Sequence, residues 1–444
     1  MRFGTTHADA DMLHVKTEAF TELCRKVKGA FTRIRKMTLF LLIMTILERK
    51  GRTLSMEIRH FQKVGLLMEK ISKVAYLKQR QKLNPLALLN LCQFHNRRLY
   101  DHDEMKMLKG YLLLAVDGSN INIPTTKETL EKYGSSSRIG TKPQASMGLS
   151  CLYDCINKTV LTCSINRVKF NEAIEAEKHH AELPSLVGDK KSILTLDRGY
   201  PSLPLLFRLN NAGQKFVIRL ASNDFKQEQA DAKTNDEIVN IKVTNSRLNH
   251  YKGTDDYDMM ASAGFIALRM VKFTLPSGDT ECLLTNLSEE EFSTDEIIQI
   301  YRLRWCIETA FDTLKNKLCI ENFTGTKPDL LEQDIYASIY ICNLASDMIA
   351  DAQAELDYDQ EQKAQQGKPS KHNMVINCAF AIGILKDMLI NAILAKSAED
   401  KEKLFRQMIE EAKSEVLPVR PNRQFNRSKG TLAGKFANSR KRVF

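Results

Sequence analysis

The sequence predicts an α/β protein, one sheet with helices packed on it, flanked by helical regions on both sides. Three observations predict it. Short apolar runs alternate with helical segments between about residues 110 and 220. Residues 10–100 read as helical throughout. Ser293 and Glu296 form a Ser-x-x-Glu capping pattern, and long helices follow it.

Taken in order, the N-terminal stretch has an apolar segment, Met37–Leu47, between basic residues at Arg25–Lys36 and Arg49–Arg59. A small helical region with a cationic surface accounts for both features. Tyr111–Val116 is a continuous apolar run that meets Asp117-Gly118, so it reads as a buried strand ending in a carboxylate. Met147–Leu152 and Thr159–Asn166 read as the next two strands. Asn171 then caps a helix running to about Leu183. Ser192–Leu196 is a further buried strand, again ending in an acid, Asp197. A helix at Leu203–Asn211 and a strand at Lys215–Leu220 follow.

From 221 to 285 the pattern changes. Asp224–Asp236 is polar, and strands are expected at Ile238–Val243, Gly264–Leu275 and Thr280–Thr285, with Pro276–Asp279 as a turn. This predicts a β-rich insertion. One helix is expected from Ser293 to about Leu318 and another at Leu330–Ala350. Gln360–His372 reads as a loop, and Ile376–Ala395 and Glu402–Glu415 as helices. The tail from Arg420 to Phe444 is basic and contains no acid, so order is expected there only on a polyanion.

The 444 residues call for roughly two to four domains. Hydrophobic residues make up 43% of the chain, which excludes disorder of the whole. Lys and Arg outnumber Asp and Glu by 65 to 54. That surplus favours a polyanionic partner, although a soluble protein rich in lysine carries it equally well. The ten cysteines contain no Cys-x-x-Cys pair. Cys151 and Cys155 sit on a strand, too far apart for an easy metal clip. His179 and His180 are adjacent and diverge on a helix. The longest apolar run, Leu39–Leu47, is about half a membrane span. With no signal peptide at the start, a soluble cytoplasmic protein with reduced thiols and no membrane partner is expected.

The chemistry concentrates on the helix after Ser293. Tyr301, Arg304, Glu308 and Lys315 fall at offsets 0, 3, 7 and 14, within roughly a 60° sector of one helix. Leu303, Ile307, Ala310, Phe311, Leu314 and Leu318 occupy the adjoining sector and would pack on the sheet. A carboxylate between Arg and Lys suits a site for metal and phosphate together. Alone, the same stripe is also what a polar helix face with an Arg304–Glu308 ion pair looks like. Asp117 and Asp197 add two acids at strand ends, which an α/β sheet can bring to one point. Three oxygen ligands suit Mg²⁺ or Mn²⁺, and two such ions roughly 4 Å apart can carry an in-line phosphoryl displacement.

These residues resemble a known family. The segment YRLRWCIETAFDTLK carries Tyr-x2-Arg-x3-Glu-x6-Lys as Tyr301, Arg304, Glu308 and Lys315. It is similar to the signature of bacterial insertion-sequence DDE transposases of the insertion-sequence-four group. AVDGS around Asp117 and LDRGY around Asp197 match in the same order. The resemblance covers about residues 105–350 and extends to the basic tail. It implies an RNase H-like catalytic domain interrupted by a β-rich insertion, with Asp117, Asp197 and Glu308 as the metal-binding catalytic triad. It also implies DNA contacts from Tyr301, Arg304 and Lys315. Some members stack a flipped base on a tryptophan in the insertion. The single tryptophan here, Trp305, lies instead on the signature helix and is the candidate aromatic at the DNA. Tyr251, Tyr257, Phe265 or Phe273 are alternatives in the insertion.

The expected layout is a DNA end-binding helical region at 1–104 and an RNase H-like domain in two parts, 105–220 and 286–358. The insertion at 221–285 separates them, and C-terminal helices and the tail fill 359–444. The expected function is metal-dependent cleavage at transposon ends and strand transfer into target DNA, by a homodimer on double-stranded DNA. A nuclease that cuts without joining and a catalytically silent DNA-binding repressor of transposition are the alternatives. The presence of all three acids argues against the silent one.

Overall fold

The computed structural model describes residues 2–32, 36–102, 105–136, 142–368 and 370–420. Six helices open the chain: α1 (Thr5–Val15), α2 (Glu18–Cys24), α3 (Leu39–Leu47), α4 (Leu54–Lys63), α5 (Lys73–Arg80) and α6 (Leu86–His102). Thr17, Thr38 and Ser72 start α2, α3 and α5 by accepting backbone N–H groups from Phe20, Leu41 and Ala75. Those donors have no carbonyl partner inside their own helices.

Then come β1 (Leu112–Asn122), α7 (Lys127–Tyr133), β2 (Ser146–Asp154), β3 (Thr159–Arg167), α8 (Glu172–Val187), β4 (Ser192–Leu196), α9 (Leu203–Asn211) and β5 (Lys215–Leu220). They are followed by α10 (Lys226–Asp231), β6 (Asp236–Lys242), α11 (Asn245–Leu248), α12 (Asp255–Ala263), β7 (Phe265–Thr274) and β8 (Thr280–Thr285). The chain continues through α13 (Thr294–Leu303), α14 (Cys306–Asp312), α15 (Pro328–Gln365), β9 (Met374–Ile376), α16 (Cys378–Leu394), α17 (Ala398–Ser414) and β10 (Val416–Pro418). Among the described residues no helix is long and apolar enough to cross a membrane. All ten cysteines are free thiols.

Eight strands form one mixed sheet in the order β3-β2-β1-β4-β5-β8-β7-β6. β4 runs parallel to both β1 and β5, while β8, β7 and β6 continue the sheet in antiparallel pairings. The sequence SILTL of β4 is buried at every residue, as a central parallel strand flanked on both edges requires.

The strands of 221–285 join the main sheet through β8, which pairs with β5, and three α-helices and a 3-10 turn lie among them. Three expectations need correction. The strand carrying Asp117 does not end there; β1 runs on to Asn122, so the acid sits mid-strand. Polar residues Asp117–Asn120 mark where β1 leaves its partner β4, not where it stops. The helix expected over 293–318 is three pieces: α13, α14 and a π-helical turn at Thr313–Lys317. Finally, α15 runs to Gln365, through part of the expected loop. Its Ala, Glu, Gln and Lys residues favour helix even when polar, and the chain turns only at Gly367, with φ 75°. The basic tail from 421 onward lies outside the described residues.

The chain divides into two compact units. One comprises Met1–Glu104, Asn120–Met147 and Phe311–Phe444; the other comprises Met105–Ser119 and Gly148–Ala310. In the first unit α15 is the central element, packed by α3, α6, α16 and α17. Its buried face carries charge as well as apolar side chains. Arg80, fully buried, donates through Nη2 to Asp334 Oδ1 at 2.7 Å and through Nε to Gln333 Oε1 at 2.9 Å. Arg49 pairs with the other oxygen of Asp334 at 3.2 Å. These bonds tie α5 and the turn after α3 to α15, and leaving one of the buried charges unpaired would be strongly destabilising.

His95 on α6 lies between Asp11 at 2.7 Å and Asp347 at 2.9 Å, with the Tyr340 hydroxyl also donating to Asp11 at 2.7 Å. Burial alone would lower the His95 pKa, but the two carboxylates outweigh it and hold the imidazole up at about 10. A histidine raised above its ordinary value of about 6.5 contributes stability that is complete below that value and is lost as pH rises through the folded one. The thermal midpoint is therefore expected to fall between about pH 6.5 and pH 10, and His95→Gln should flatten that slope while lowering stability throughout. Melting curves across this range test it; a slope unchanged by His95→Gln would contradict it.

Candidate active site

The apolar run Leu112–Val116 is fully buried and pairs with β4 through Leu112↔Ser192 to Ala115↔Thr195. The Thr195 hydroxyl donates to the Leu114 carbonyl at 2.9 Å and fixes this register from the side-chain level. The register ends at Ala115↔Thr195, two residues before Asp117 and Asp197, so strand pairing brings the two acid-bearing segments side by side.

The third acid arrives on a broken helix. The capping box at Ser293 and Glu296 starts α13, with the Glu296 carboxylate accepting from the Ser293 N–H at 2.9 Å. At the far end, Arg304 N–H bonds Tyr301 O, Trp305 N–H bonds Arg302 O and Ile307 N–H bonds Arg304 O. These three-residue bonds tighten the chain between α13 and α14. Tyr301, Arg304 and Glu308 stay on one side of that turn.

Arg304 is the centre of the site. Its side chain is only 2% exposed, yet three carboxylates reach its guanidinium. Glu308 Oε1 accepts from Nη2 at 3.2 Å, Asp197 Oδ2 lies 3.8 Å from Nη2, and Asp117 Oδ2 lies 3.9 Å from Nη1. Nε and Nη1 of Arg304 are buried without a hydrogen-bond partner. The Tyr301 hydroxyl donates to Asp197 Oδ1 at 3.0 Å, and Arg219 lies 3.8 Å from the same oxygen while pairing with Glu281 at 2.8 Å.

The two aspartates differ in their electrostatics. Burial pushes the Asp117 carboxyl up to about 6, helped by the charges of Glu172 and Glu308 and opposed by the Gly118 N–H and Arg304. Burial would also raise Asp197, but the Arg198 N–H, Arg304, Tyr301 and Arg219 together hold it below the ordinary carboxylate range. One acid is thus kept easy to protonate and the other kept ionised.

A cleft of about 480 Å³ opens beside them, lined by Asp117, Glu172, Asp197, Arg198, Gly199 and Tyr200, among others. Glu172, the first residue of α8, was not singled out from the sequence, where an acid after the capping Asn171 reads as a partner for the helix dipole. The usable signal was the glycine one or two residues after each aspartate. A Cβ at Gly199 would come within 2.5 Å of Glu172 Oε2, and one at Gly118 within 2.8 Å of Phe170 Cζ. These glycines let the segment before α8 close onto both acids.

Of the other expected site residues, Trp305 is 45% exposed with Arg304 against its ring, and Lys315 belongs to the π-helical turn in the helical unit, half-buried. Among the described residues no three His, Cys, Asp or Glu side chains are arranged to hold a metal ion as they stand. Arg304 is among the acids in the position of a counter-cation. The donor set is nonetheless the one a hard divalent ion takes, oxygen ligands beside an open cleft.

Residues 108–344 match the family described as Transposase DDE domain. The chain is 36% identical over 85 residues to the putative transposase InsL of insertion sequence element IS186A of Escherichia coli strain K12, covering 19% of this chain and 22% of that protein. The transposase of insertion sequence element IS421 of Escherichia coli matches to the same extent. The matched stretch thus spans about a fifth of the length of these relatives. A piggyBac transposase, in a synaptic complex with hairpin DNA, aligns with 12% identity and a TM-score of 0.45, over 96% of this chain and 89% of that one.

The geometry yields a stability test. Asp197 has a folded pKa below its ordinary value, so its ionisation adds stability present above about pH 4 and lost as pH falls through the folded value. Arg304→Met removes one cause of that lowering and leaves three acids facing one another. Its thermal midpoint should lie several degrees below wild type near pH 7.5, with the gap narrowing towards pH 3. Melting curves of both proteins would show it; a gap of equal size at both pH values would contradict the shared-counterion reading.

Proposed function

This chain belongs to the Transposase DDE domain family, and from that premise we propose that it is a DNA transposase, cutting double-stranded DNA at the ends of an insertion sequence and joining those ends to a target. The single observation that carries the reading is the gathering of Asp117, Asp197 and Glu308 around Arg304. Separated by up to 191 positions in the chain, 308 − 117, they share no local structural need for one another. The finer assignment, to the insertion-sequence-four group with the signature Tyr301, Arg304, Glu308 and Lys315, rests on the sequence motif. The sheet order β3-β2-β1-β4-β5, with β1, β4 and β5 parallel, supports an RNase H-like domain in two parts, 105–220 and 286–358, interrupted at 221–285.

Membership of the family implies use of a divalent cation. In our reading Asp117, Asp197 and Glu308 hold Mg²⁺ or Mn²⁺, two ions in all. When bound, such ions stabilise charge on the attacking and leaving oxygens of an in-line phosphoryl displacement. The chain's own groups prepare that chemistry. Tyr301 orients Asp197 through its hydroxyl. Nε and Nη1 of Arg304, which make no hydrogen bond although Nη1 lies within ion-pair reach of Asp117, are charged donors suited to a phosphodiester oxygen. Trp305, exposed beside Arg304, suits stacking on a base. Lys315 suits a phosphate contact.

Two transposon ends exceed one active site, so the working form is a homodimer on DNA. The basic N-terminal region, 1–104, is the candidate for recognising the end. The helices between 376 and 415 bury apolar stripes within their own chain, against α15, so a dimer contact there would use their outer faces. The basic tail adds salt-sensitive affinity without sequence preference.

Incubation of the protein with DNA carrying the element's ends and a target plasmid in Mg²⁺ separates this reading from cleavage alone. Wild type should yield cut ends and joined products, and cut ends without joined products would leave a nuclease. Asp117→Asn and Glu308→Gln should abolish both products while retaining end binding. Lys315→Ala should instead weaken binding and reduce the slope of log affinity against log salt by about 0.9, one phosphate contact. Cleavage at the wild-type rate by Asp117→Asn would overturn the assignment.

A further inference from the structure

The acids of the site fall into two groups that share Asp117 and Asp197. On one side stand Arg304 and Glu308, already joined by ion pairs. On the other is the cleft that Asp117 and Asp197 line with Glu172 and Tyr200. No ion pair to Arg304 serves Glu172. A half-buried carboxylate facing two others, with no counter-charge of its own among the described contacts, is electrostatically incomplete.

Its position is built. The segment Phe170–Glu172 closes onto β1 and β2 because Gly118 and Gly148 leave room for the Phe170 ring. A Cβ there would approach Phe170 Cζ to 2.8 Å and Phe170 Cδ1 to 2.5 Å. Lys169 takes a left-handed backbone, φ 63°, to make that approach. Gly199 then leaves room for the Glu172 carboxylate itself, with Oε2 2.5 Å from where a Cβ would stand. Three glycines along the two aspartate segments and β2 thus clear a seat for one acid.

A second observation points to something in that cleft. The Tyr200 side chain is 1% exposed, lines the same cleft and has a hydroxyl with no hydrogen-bond partner. A buried hydroxyl left unsatisfied is destabilising, and a water or oxygen ligand of a bound species in the cleft would satisfy it.

We infer that Glu172 is a fourth acidic ligand of the centre, holding a divalent cation on the cleft side together with Asp117 and Asp197, with the Tyr200 hydroxyl bonded to the ion's water or phosphate oxygen. This rests on the metal-dependent reading of the site given above. It adds that the two cation positions are unequal, one completed by Glu308 and one by Glu172. A cation entering the cleft would supply the counter-charge that Arg304 supplies on the other side.

The test uses the full-length protein and Mn²⁺ alone, following the free-ion electron paramagnetic resonance signal during titration. Wild type should take up two ions. Glu172→Gln should lose one of them or bind it at least about tenfold more weakly, and its melting temperature without metal should not fall, because a repelling charge has been removed. Gly199→Ala, which keeps every carboxylate but displaces Glu172, should weaken the same ion. Glu308→Gln should weaken the other. Unchanged Mn²⁺ stoichiometry and affinity in a folded Glu172→Gln would overturn the assignment of Glu172. If Asp117→Asn also left Mn²⁺ uptake unchanged, the metal-binding reading of the whole centre would fail with it.

Discussion

A guanidinium buried to 2% exposure needs counter-charge, and Arg304 finds it in three acids drawn from three distant stretches of chain. The cost of leaving such a cation unpaired is several kcal/mol, so the pairing of β1 with β4 and the break between α13 and α14 are energetically linked through one side chain. Asp117 and Asp197 come side by side because Ala115 pairs with Thr195 in a parallel register. Glu308 joins them because the chain tightens at Arg304 and restarts as α14. The guanidinium thus holds together acids that would otherwise repel.

The same acids are left in unequal states. Asp117 is desolvated and easily protonated, whereas Asp197 is stabilised as an anion by Arg304, Tyr301, Arg219 and the Arg198 N–H. An assembly held ready in this way, with Arg304 donors and the Tyr200 hydroxyl still unsatisfied, has charge and hydrogen-bonding capacity left for a ligand. The helical unit shows the opposite use of buried charge. Arg80 and Arg49 both pair with Asp334 of α15, and that network serves packing.

Much of the sheet was legible because its strands are apolar and bounded by turn residues. β4, β5, β8 and α9 lie where the residue pattern puts them, and the pairs Asp117–Gly118 and Asp197-Arg198-Gly199 marked the site. What was not legible depended on tertiary context. The continuation of β1 past Asp117 is set by neighbours, not by hydrophobicity, since residues 117–120 are polar. The break at Arg304–Trp305 leaves the helical periodicity of the sequence nearly intact, so periodicity could not reveal it, nor the π-helical turn at Thr313–Lys317. The strands of 221–285 carried no sign of which edge they would join; β8 joining β5 decided it. Glu172 was missed because an acid opening a helix has an ordinary explanation, and only the closeness of Gly199 gives it another.

Asp117, Asp197 and Glu308 should form one cation-binding centre, and crystals of the protein soaked in Mn²⁺ and measured at the manganese absorption edge test this directly. An anomalous peak is expected in contact with carboxylate oxygens of Asp117 and Asp197, with Glu308 moved from Arg304 towards it. Manganese bound elsewhere on the chain, with the three acids still paired only to Arg304 at saturating metal, would contradict it.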